Sequence, residues 1–281
     1  MPALPPHIPT PPPASFPSPA QVREQGLLFQ DSSLADKRIW KIEWEGVSLI
    51  IKEGEDVEEG EAKVTELARI STGLPIPQVY HVEKDADSTF LYLEEMPGEE
   101  LSSVYWQLPP GQQRALSEEI KRVVKLLHGV KAPSGIRVGG FGRRTLSALL
   151  ADCDLFPSLS STAELHTFLQ QLYITKNPSK AFEYESEVSP HLDNSAPLVL
   201  VHGDLHADNI LVQDGKLCAL LDFERAGFYP EWVEACVATR RLKKRSGHDM
   251  MVGEAVTGMR AAEREKYQWM MTAWDGWLKS A

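Results

Sequence analysis

The sequence predicts an α+β fold in two lobes, a small β-rich one followed by a larger, mainly helical one. Three observations carry this reading. Before residue 97, runs of alternating and β-branched residues are cut by turn pairs, as in antiparallel strands. Met96-Pro97-Gly98 then breaks the chain in the manner of a hinge. Beyond Gly98, long segments carry apolar residues at helical spacing.

The elements follow in order. Nine of the 20 prolines lie between Pro2 and Pro19, and His7 is the only titratable side chain before Arg23. This composition favours extended polyproline II structure with little means of building a core, so residues 1–22 read as a proline-rich arm that chemistry does not need. Residues 23–97 read as the N-lobe. In it, Arg38 to Trp44 and Val47 to Lys52 form a hairpin about Glu45-Gly46. A helix follows from about Asp56 to Ile70, with Val64, Leu67 and Ala68 on one face, until Gly73, Pro75 and Pro77 stop it. Strands near Gln78 to Val82 and Thr89 to Glu94 complete the lobe. Residues 98–281 read as the C-lobe. Its first long helix, Gly111 to His128, presents Ile120, Val123, Val124 and Leu127 together, with Gly129 as its C-cap. A helix near Thr162 to Leu172 comes next, then strands at Leu198 to Val201, Ile210 to Val212 and Leu217 to Phe223, the last two joined by Asp214-Gly215. Tyr267, Trp269, Met270, Trp274 and Trp277 mark a closing helix whose aromatics pack a core. No internal repeat of fixed period is visible.

Composition narrows the function. Asp and Glu exceed Lys and Arg by 40 to 29, a net charge of -11, which argues against a nucleic-acid binder dependent on a broad basic face. A cationic small molecule suits this charge better. Cys153, Cys218 and Cys236 are widely spaced with no CxxC pair, so they read as small buried residues in a reducing compartment rather than as a disulfide framework or a thiolate metal site. The apolar runs fall well short of the roughly 18 residues a membrane helix needs. The N-terminus lacks the basic and apolar segments of a secretory signal. The chain therefore reads as cytoplasmic, with no membrane partner. Its oligomeric state is not legible.

The informative stretch is Leu198 to Gly227, LVLVHGDLHADNILVQDGKLCALLDFERAG, where polar residues follow one apolar strand and end another. A carboxylate at Asp204, an amide at Asn209 and a carboxylate at Asp222, drawn together by the Asp214-Gly215 hairpin, form the oxygen-rich kind of site that magnesium prefers. With Asn209 and Asp222 on the metal, Asp204 is left to orient an acceptor hydroxyl and take its proton.

His202, Asp204 and Asn209 form HxDxxxxN, and Asp222 follows on the next hairpin strand. This pattern resembles the catalytic loop and metal-binding Asp of kinase-like phosphotransferases. The wording HGDLHADNILV and LLDFERAGFYPEW is similar to aminoglycoside phosphotransferase-like proteins, especially the fungal members. The likeness continues upstream. Ile50-Ile51-Lys52 and Glu61 resemble the family's strand Lys and helix Glu, PIPQVY its path to the next strand, and YLEEMPGEEL its hinge. It spans about residues 38–245. The resemblance implies a bilobal protein-kinase-like fold, ATP and Mg2+ as cofactors, and a small-molecule acceptor. It implies Asp204 as the base and Asn209 and Asp222 as metal ligands. Lys52, held by Glu61, would meet the α and β phosphates, while the backbones of Glu94 and Met96 meet the adenine edge and Leu93 lines its pocket. His202 would support the loop, Glu224 would reach a second metal or cap a turn, and Trp232 and Glu234 would line the acceptor pocket or pack a helix.

One departure favours a rival reading, an ATP-binding pseudokinase or scaffold without phosphoryl transfer. Between Gly26 and Lys52 the only glycine is Gly46, already used in a turn, so no glycine-rich loop covers the phosphates. Asp31 to Lys37, with Ser32 and Ser33, offers backbone donors in its place. A second rival, a two-metal hydrolase built on HGDLH, lacks the upstream DxH and downstream GNH such sites need.

Overall fold

The computed structural model describes residues 7–32, 37–141, 158–176, 178–241 and 246–257. Cys153, Ser33 and the aromatic cluster from Tyr267 to Trp277 lie outside them. Helix α1 (Pro19–Gln25) leads into an antiparallel sheet of β1 (Leu27–Ser32), β2 (Lys37–Trp44), β3 (Val47–Gly54) and, past helix α2 (Glu59–Thr72), β4 (Val79–Asp85) and β5 (Ser88–Glu94). Their order is β1-β2-β3-β5-β4. The larger part follows with β6 (Glu99–Glu100), α3 (Leu101–Val104), α4 (Pro110–Gly129), β7 (Gly139–Gly140), α5 (Thr162–Lys176) and α6 (Ala181–Glu183). It ends with β8 (Leu198–Val201), β9 (Ile210–Gln213), β10 (Lys216–Leu220), β11 (Gly227–Pro230), α7 (Trp232–Arg241) and α8 (Gly247–Thr257). Two small sheets, β10-β9-β6 and β7-β11-β8, lie among these helices.

Local chemistry explains the boundaries. Glu45 and Gly46 take φ of 50° and 78°, and Asp214 and Gly215 take 53° and 72°, so both hairpins turn with the positive-φ pairs that match strand twist. Gly73 caps α2 in the left-handed region. Gly129 instead stays within α4, and Val130 closes that helix by donating its N–H to the Leu127 carbonyl. The strand expected to reach Phe223 stops at Leu220, because Asp222 adopts φ 61° and leaves the extended path. α1, β1 and β11 carry no strong turn or periodicity signal and were not expected.

The five-stranded sheet is covered on both faces. Ile50, Leu91 and Leu93 point toward α2, packing with Val57 and Ala62. Leu49, Ile51, Phe90 and Tyr92 point the other way with Trp40 and Ile42, and there Val22 of α1 and Phe16 of the arm meet them. Phe16 stacks on His81 with ring centroids 4.9 Å apart, and the Tyr92 hydroxyl donates to the Pro17 carbonyl at 2.8 Å. Pro13, Pro17 and Pro19 are buried. The proline-rich segment is therefore an extension that clings to this face of the sheet, more deeply buried there than its composition suggests. An extended chain needs few apolar side chains of its own when the sheet beneath it supplies the rest. Arg23 of α1 bonds the buried Glu53 at 2.8 Å, and Glu53 also accepts from the Trp40 indole at 2.7 Å.

The largest core joins the two parts of the chain. Val64 and Ala68 of α2 and Leu74 and Ile76 after it pack in one cluster with Leu116, Ile120, Val123 and Leu127 of α4 and with Leu205, Ile210 and Phe223. Residues at the expected apolar face of α4 are all in that cluster, which seats the HGDLHADN segment against the long helix.

Candidate active site

Lys52 stands near the end of β3 on the α2 face, and its register opposite Leu91 fixes its height in the sheet. Its ammonium lies 2.5 Å from Glu61 Oε1 and 2.8 Å from Asp222 Oδ1. Burial opposes its charge, but Asp222 and Glu61 outweigh burial and hold the ammonium above its ordinary range. Asp222 is likewise disfavoured by burial, yet Lys52 and then Lys37 hold it well below the usual carboxylate range. Glu61 is pushed up by burial, against the pull of Lys52. The pairing to Glu61, rather than to any of the several glutamates nearby, is the one expected.

Asp204 follows β8 across Gly203, whose φ of 78° lets the chain turn sharply out of the strand. The turn is held from behind. Glu234 of α7, 1% exposed, accepts the backbone N–H of His202 at 2.7 Å and of Gly203 at 3.3 Å. Burial pushes the Glu234 carboxyl up to about 7, although those two N–H groups pull it the other way. His202 is fully buried; its Nε2 donates to the Leu221 carbonyl at 3.0 Å while its Nδ1 accepts the Asp204 N–H at 3.2 Å. That pattern requires the neutral ring, and burial lowers the histidine accordingly. The Asp204 carboxylate has His206 Nε2 and Arg225 Nε each 3.8 Å from Oδ2.

Asn209 closes a short 3-10 turn, and its amide nitrogen donates to the Asp204 carbonyl at 2.9 Å. With Nδ2 so used, the side-chain oxygen is the atom it offers a ligand. Its own carbonyl accepts the Leu221 N–H at 2.9 Å. Leu221 is thus gripped on both backbone groups, by Asn209 and by His202, and the next residue is Asp222 in its positive-φ conformation. An uncommon backbone of this kind persists only when its surroundings over-determine it.

The site residues fall into three groups. Lys52, Glu61 and Asp222 touch directly. Asp204 and Asn209 touch each other and reach Asp222 through Leu221. Leu93 is in the sheet opposite Ile50, two residues from Lys52, whereas the hinge residues take their contacts elsewhere. The Glu94 carboxylate accepts the Thr10 N–H at 2.7 Å and the Gln78 N–H at 3.1 Å and meets His7 Nε2 at 2.9 Å. Met96 packs on Leu211 and Ala219 of the β9–β10 hairpin. Trp232 lies in the C-lobe core with Tyr184, Val199 and Tyr229, so it packs its helix. Glu234 is behind the catalytic loop, away from the acceptor role considered for it; a helix residue 30 positions beyond Asp204 carries no spacing signal that would have revealed this. Lys37, also unforeseen as a side chain, bonds Glu224 Oε2 at 2.6 Å and lies 3.6 Å from Asp222 Oδ2.

Carboxylate oxygens of Glu61, Asp222 and Glu224 all lie within 4.8 Å of one another. A hard, oxygen-only set of this kind is chemically suited to magnesium. No helix among the described residues is long and apolar enough to cross a membrane.

A five-stranded sheet over α2, joined by a hinge to a helical lobe with the HxDxxxxN loop, defines a kinase-like phosphotransferase fold. Solved structures share it. Aminoglycoside phosphotransferase APH(4)-Ia aligns with a TM-score of 0.57 at 13% identity, covering 92% of this chain and 94% of the other. Spectinomycin phosphotransferase APH(9)-Ia in complex with ADP and spectinomycin aligns with a TM-score of 0.54 at 14% identity, covering 91% and 82%. The chain belongs to the phosphotransferase enzyme family APH, whose profile matches residues 33–275. Among curated proteins it is similar to aminoglycoside 3'-phosphotransferases of Enterococcus faecalis and Staphylococcus aureus, each 23% identical over 192 residues. Those matches span 64% of this chain and 64% of each relative.

Proposed function

We propose that the chain transfers the γ-phosphate of ATP to a hydroxyl of a small molecule, with magnesium. The observation that carries this is the meeting of Lys52, Glu61 and Asp222 beside an Asp204–Asn209 pair tied to Asp222 through Leu221. Two variants of APH(4)-Ia, which shares this fold, were solved as ternary complexes of hygromycin B with ADP or AMP-PNP, which supports ATP use and a small-molecule acceptor here.

In this reading Lys52 binds the α and β phosphates, and Glu61 keeps its ammonium aimed there. Asn209 and Asp222 hold the metal, which when bound offsets the charge of the triphosphate. Leu93 lines the adenine pocket, and the backbones of Glu94 and Met96 meet the adenine edge. Asp204 orients the acceptor hydroxyl and takes its proton as the acceptor oxygen bonds to phosphorus. The β–γ bridging P–O bond breaks, and ADP leaves with that electron pair. The acidic balance of the chain, 40 to 29, favours amine-bearing acceptors by raising their local concentration.

The test is acceptor-stimulated ADP release from Mg-ATP across a panel of aminoglycosides, amino alcohols, sugars and neutral or anionic alcohols. Amine-bearing acceptors are expected to lead. Activity confined to neutral or anionic acceptors overturns the charge argument alone. Tight Mg-ATP binding with no turnover on any acceptor favours the pseudokinase reading.

A further inference from the structure

No glycine-rich stretch lies between Gly26 and Lys52, yet Lys37 at the start of β2 carries its ammonium to the carboxylates of the site. Lys37 opens β2, opposite Ser32 of β1 and Gly54 of β3. Lysines ordinarily extend into solvent. The side chain of Lys37 is instead drawn inward, 16% exposed, with its ammonium 2.6 Å from Glu224 and 3.6 Å from Asp222. Asp222 therefore lies between two ammonium groups, Lys52 on Oδ1 and Lys37 nearer Oδ2.

From this placement we infer that Lys37 is a phosphate-positioning residue, supplying to the terminal phosphate of ATP the positive charge that a glycine-rich loop supplies through its backbone N–H groups. The inference rests on the ATP reading of the site. Without nucleotide, Asp222 and Glu224 are close carboxylates whose counter-charge comes from Lys37 together with Lys52 on Asp222 and Arg225, 3.7 Å from Glu224. A divalent cation on those carboxylates repels an ammonium at the same place, by Coulomb's law. Lys37 hangs from a flexible four-carbon stem on the strand above the site, and the triphosphate is the anion then nearest to it. The partner of Lys37 changes from carboxylate to phosphate without movement of β2. Lys52 differs in staying tethered to Glu61 of its own lobe.

The experiment is calorimetric titration of the full chain and its Lys37→Met and Lys37→Arg variants with Mg-ATP and, separately, Mg-ADP. Methionine keeps the length and apolar stem of lysine, and thermal melting checks that each variant is folded. Lys37→Met is expected to weaken Mg-ATP binding by about tenfold, the scale of one lost charge-assisted contact, and Mg-ADP binding by much less. Lys37→Arg is expected to retain the preference for ATP. If Lys37→Met binds Mg-ATP as tightly as the parent chain or more tightly, Lys37 is only a counter-ion competing with the metal, and the inference is overturned. An equal loss for ATP and ADP also overturns it, since the terminal phosphate is then not what Lys37 meets. If the parent chain binds neither nucleotide, the ATP reading itself fails, an outcome distinct from both.

Discussion

Glu234 holds the backbone N–H of His202 at 2.7 Å from beneath the catalytic loop, a carboxylate buried for the sake of two amides. Removing it in Glu234→Ala leaves both N–H groups buried and unpaired, each at a cost of about 1–3 kcal/mol. The expected outcome is a kcat lowered by about tenfold or more, with KM for ATP little changed, because Asp204 is displaced while Lys52 and Asp222 are not touched. Steady-state kinetics with varied ATP separates the two parameters; a loss confined to KM contradicts this positioning role.

The same residue sets a pH dependence. Its carboxyl, held up to about 7 by burial, is raised in the folded state above its ordinary range near 4.5. The folded chain then binds the proton more tightly than the unfolded chain. The stability this confers is present below the ordinary range and is lost as pH rises toward about 7. Melting temperatures across this interval are expected to fall for the parent chain and to fall less for Glu234→Gln. Parallel curves for the two would show that the slope comes from other groups.

In the proposed reaction Asp204 and Asp222 divide the chemistry. Asp204→Asn removes the base but keeps its size, so Mg-ATP binding persists while transfer falls by about a hundredfold or more. Asp222→Asn removes a metal-site charge and leaves Lys52 with Glu61 alone, so Mg-ATP affinity and rate both fall. Calorimetry beside coupled ADP assays tells them apart. Normal Mg-ATP binding by Asp222→Asn with loss in Asp204→Asn would reverse the two roles.

The proline-rich segment is expected to matter to stability. Phe16→Ala uncovers Tyr92 and His81 at a cost of about 1–2 kcal/mol. For a chain of this size each kcal/mol corresponds to about 2–4 °C of melting temperature. Deleting residues 1–18 is expected to lower the melting temperature further and to raise KM for ATP, because Thr10 and His7 also hold the Glu94 carboxylate at the hinge. A truncated chain that melts and turns over like the parent would show the cover to be incidental.

Gly98 supplies a test of the hinge. It sits at φ 106°, and an added Cβ would lie 2.5 Å from Cys218 Sγ and 3.0 Å from the Val212 carbonyl oxygen. Gly98→Ala is expected to cost about 1–3 kcal/mol from backbone strain alone, before the clash. Adding Cys218→Ala relieves the sulfur contact but not the strain, so chemical denaturation should show partial recovery. Full recovery would locate the whole effect in the sulfur.

Legibility in the sequence followed the range of the interactions involved. The Glu45-Gly46 and Asp214-Gly215 hairpins, the apolar face of α4 and the Lys52–Glu61 pair rest on local spacing or on a long motif, and they were readable. The cover formed by Phe16 and Val22 was not, because its apolar partners, Tyr92 and Phe90, lie about 70 residues downstream in the sequence. The place of Glu234 beneath the loop, instead of in the acceptor pocket considered for it, and the inward turn of Lys37 escape the sequence for the same reason. Each acts through long-range contacts, and neither residue type is unusual where it stands. Asp222 stands out in the motif, but the strand read around it is too long, since nothing in LLDFE marks the change to positive φ.

Met96, the residue at the hinge, is seated on Leu211 and Ala219, so the pivot belongs to the lobe that carries Asn209 and Asp222. Two ammonium groups of the small lobe, on Lys37 and Lys52, reach across to carboxylates of the large one. The clasp of the two jaws is therefore ionic on the solvent-facing side, at Lys37, and sealed within at Lys52. Added salt, which screens exposed charges over about 8–10 Å at moderate ionic strength, loosens the outer clasp first. The joint between the two lobes thus becomes a function of the medium.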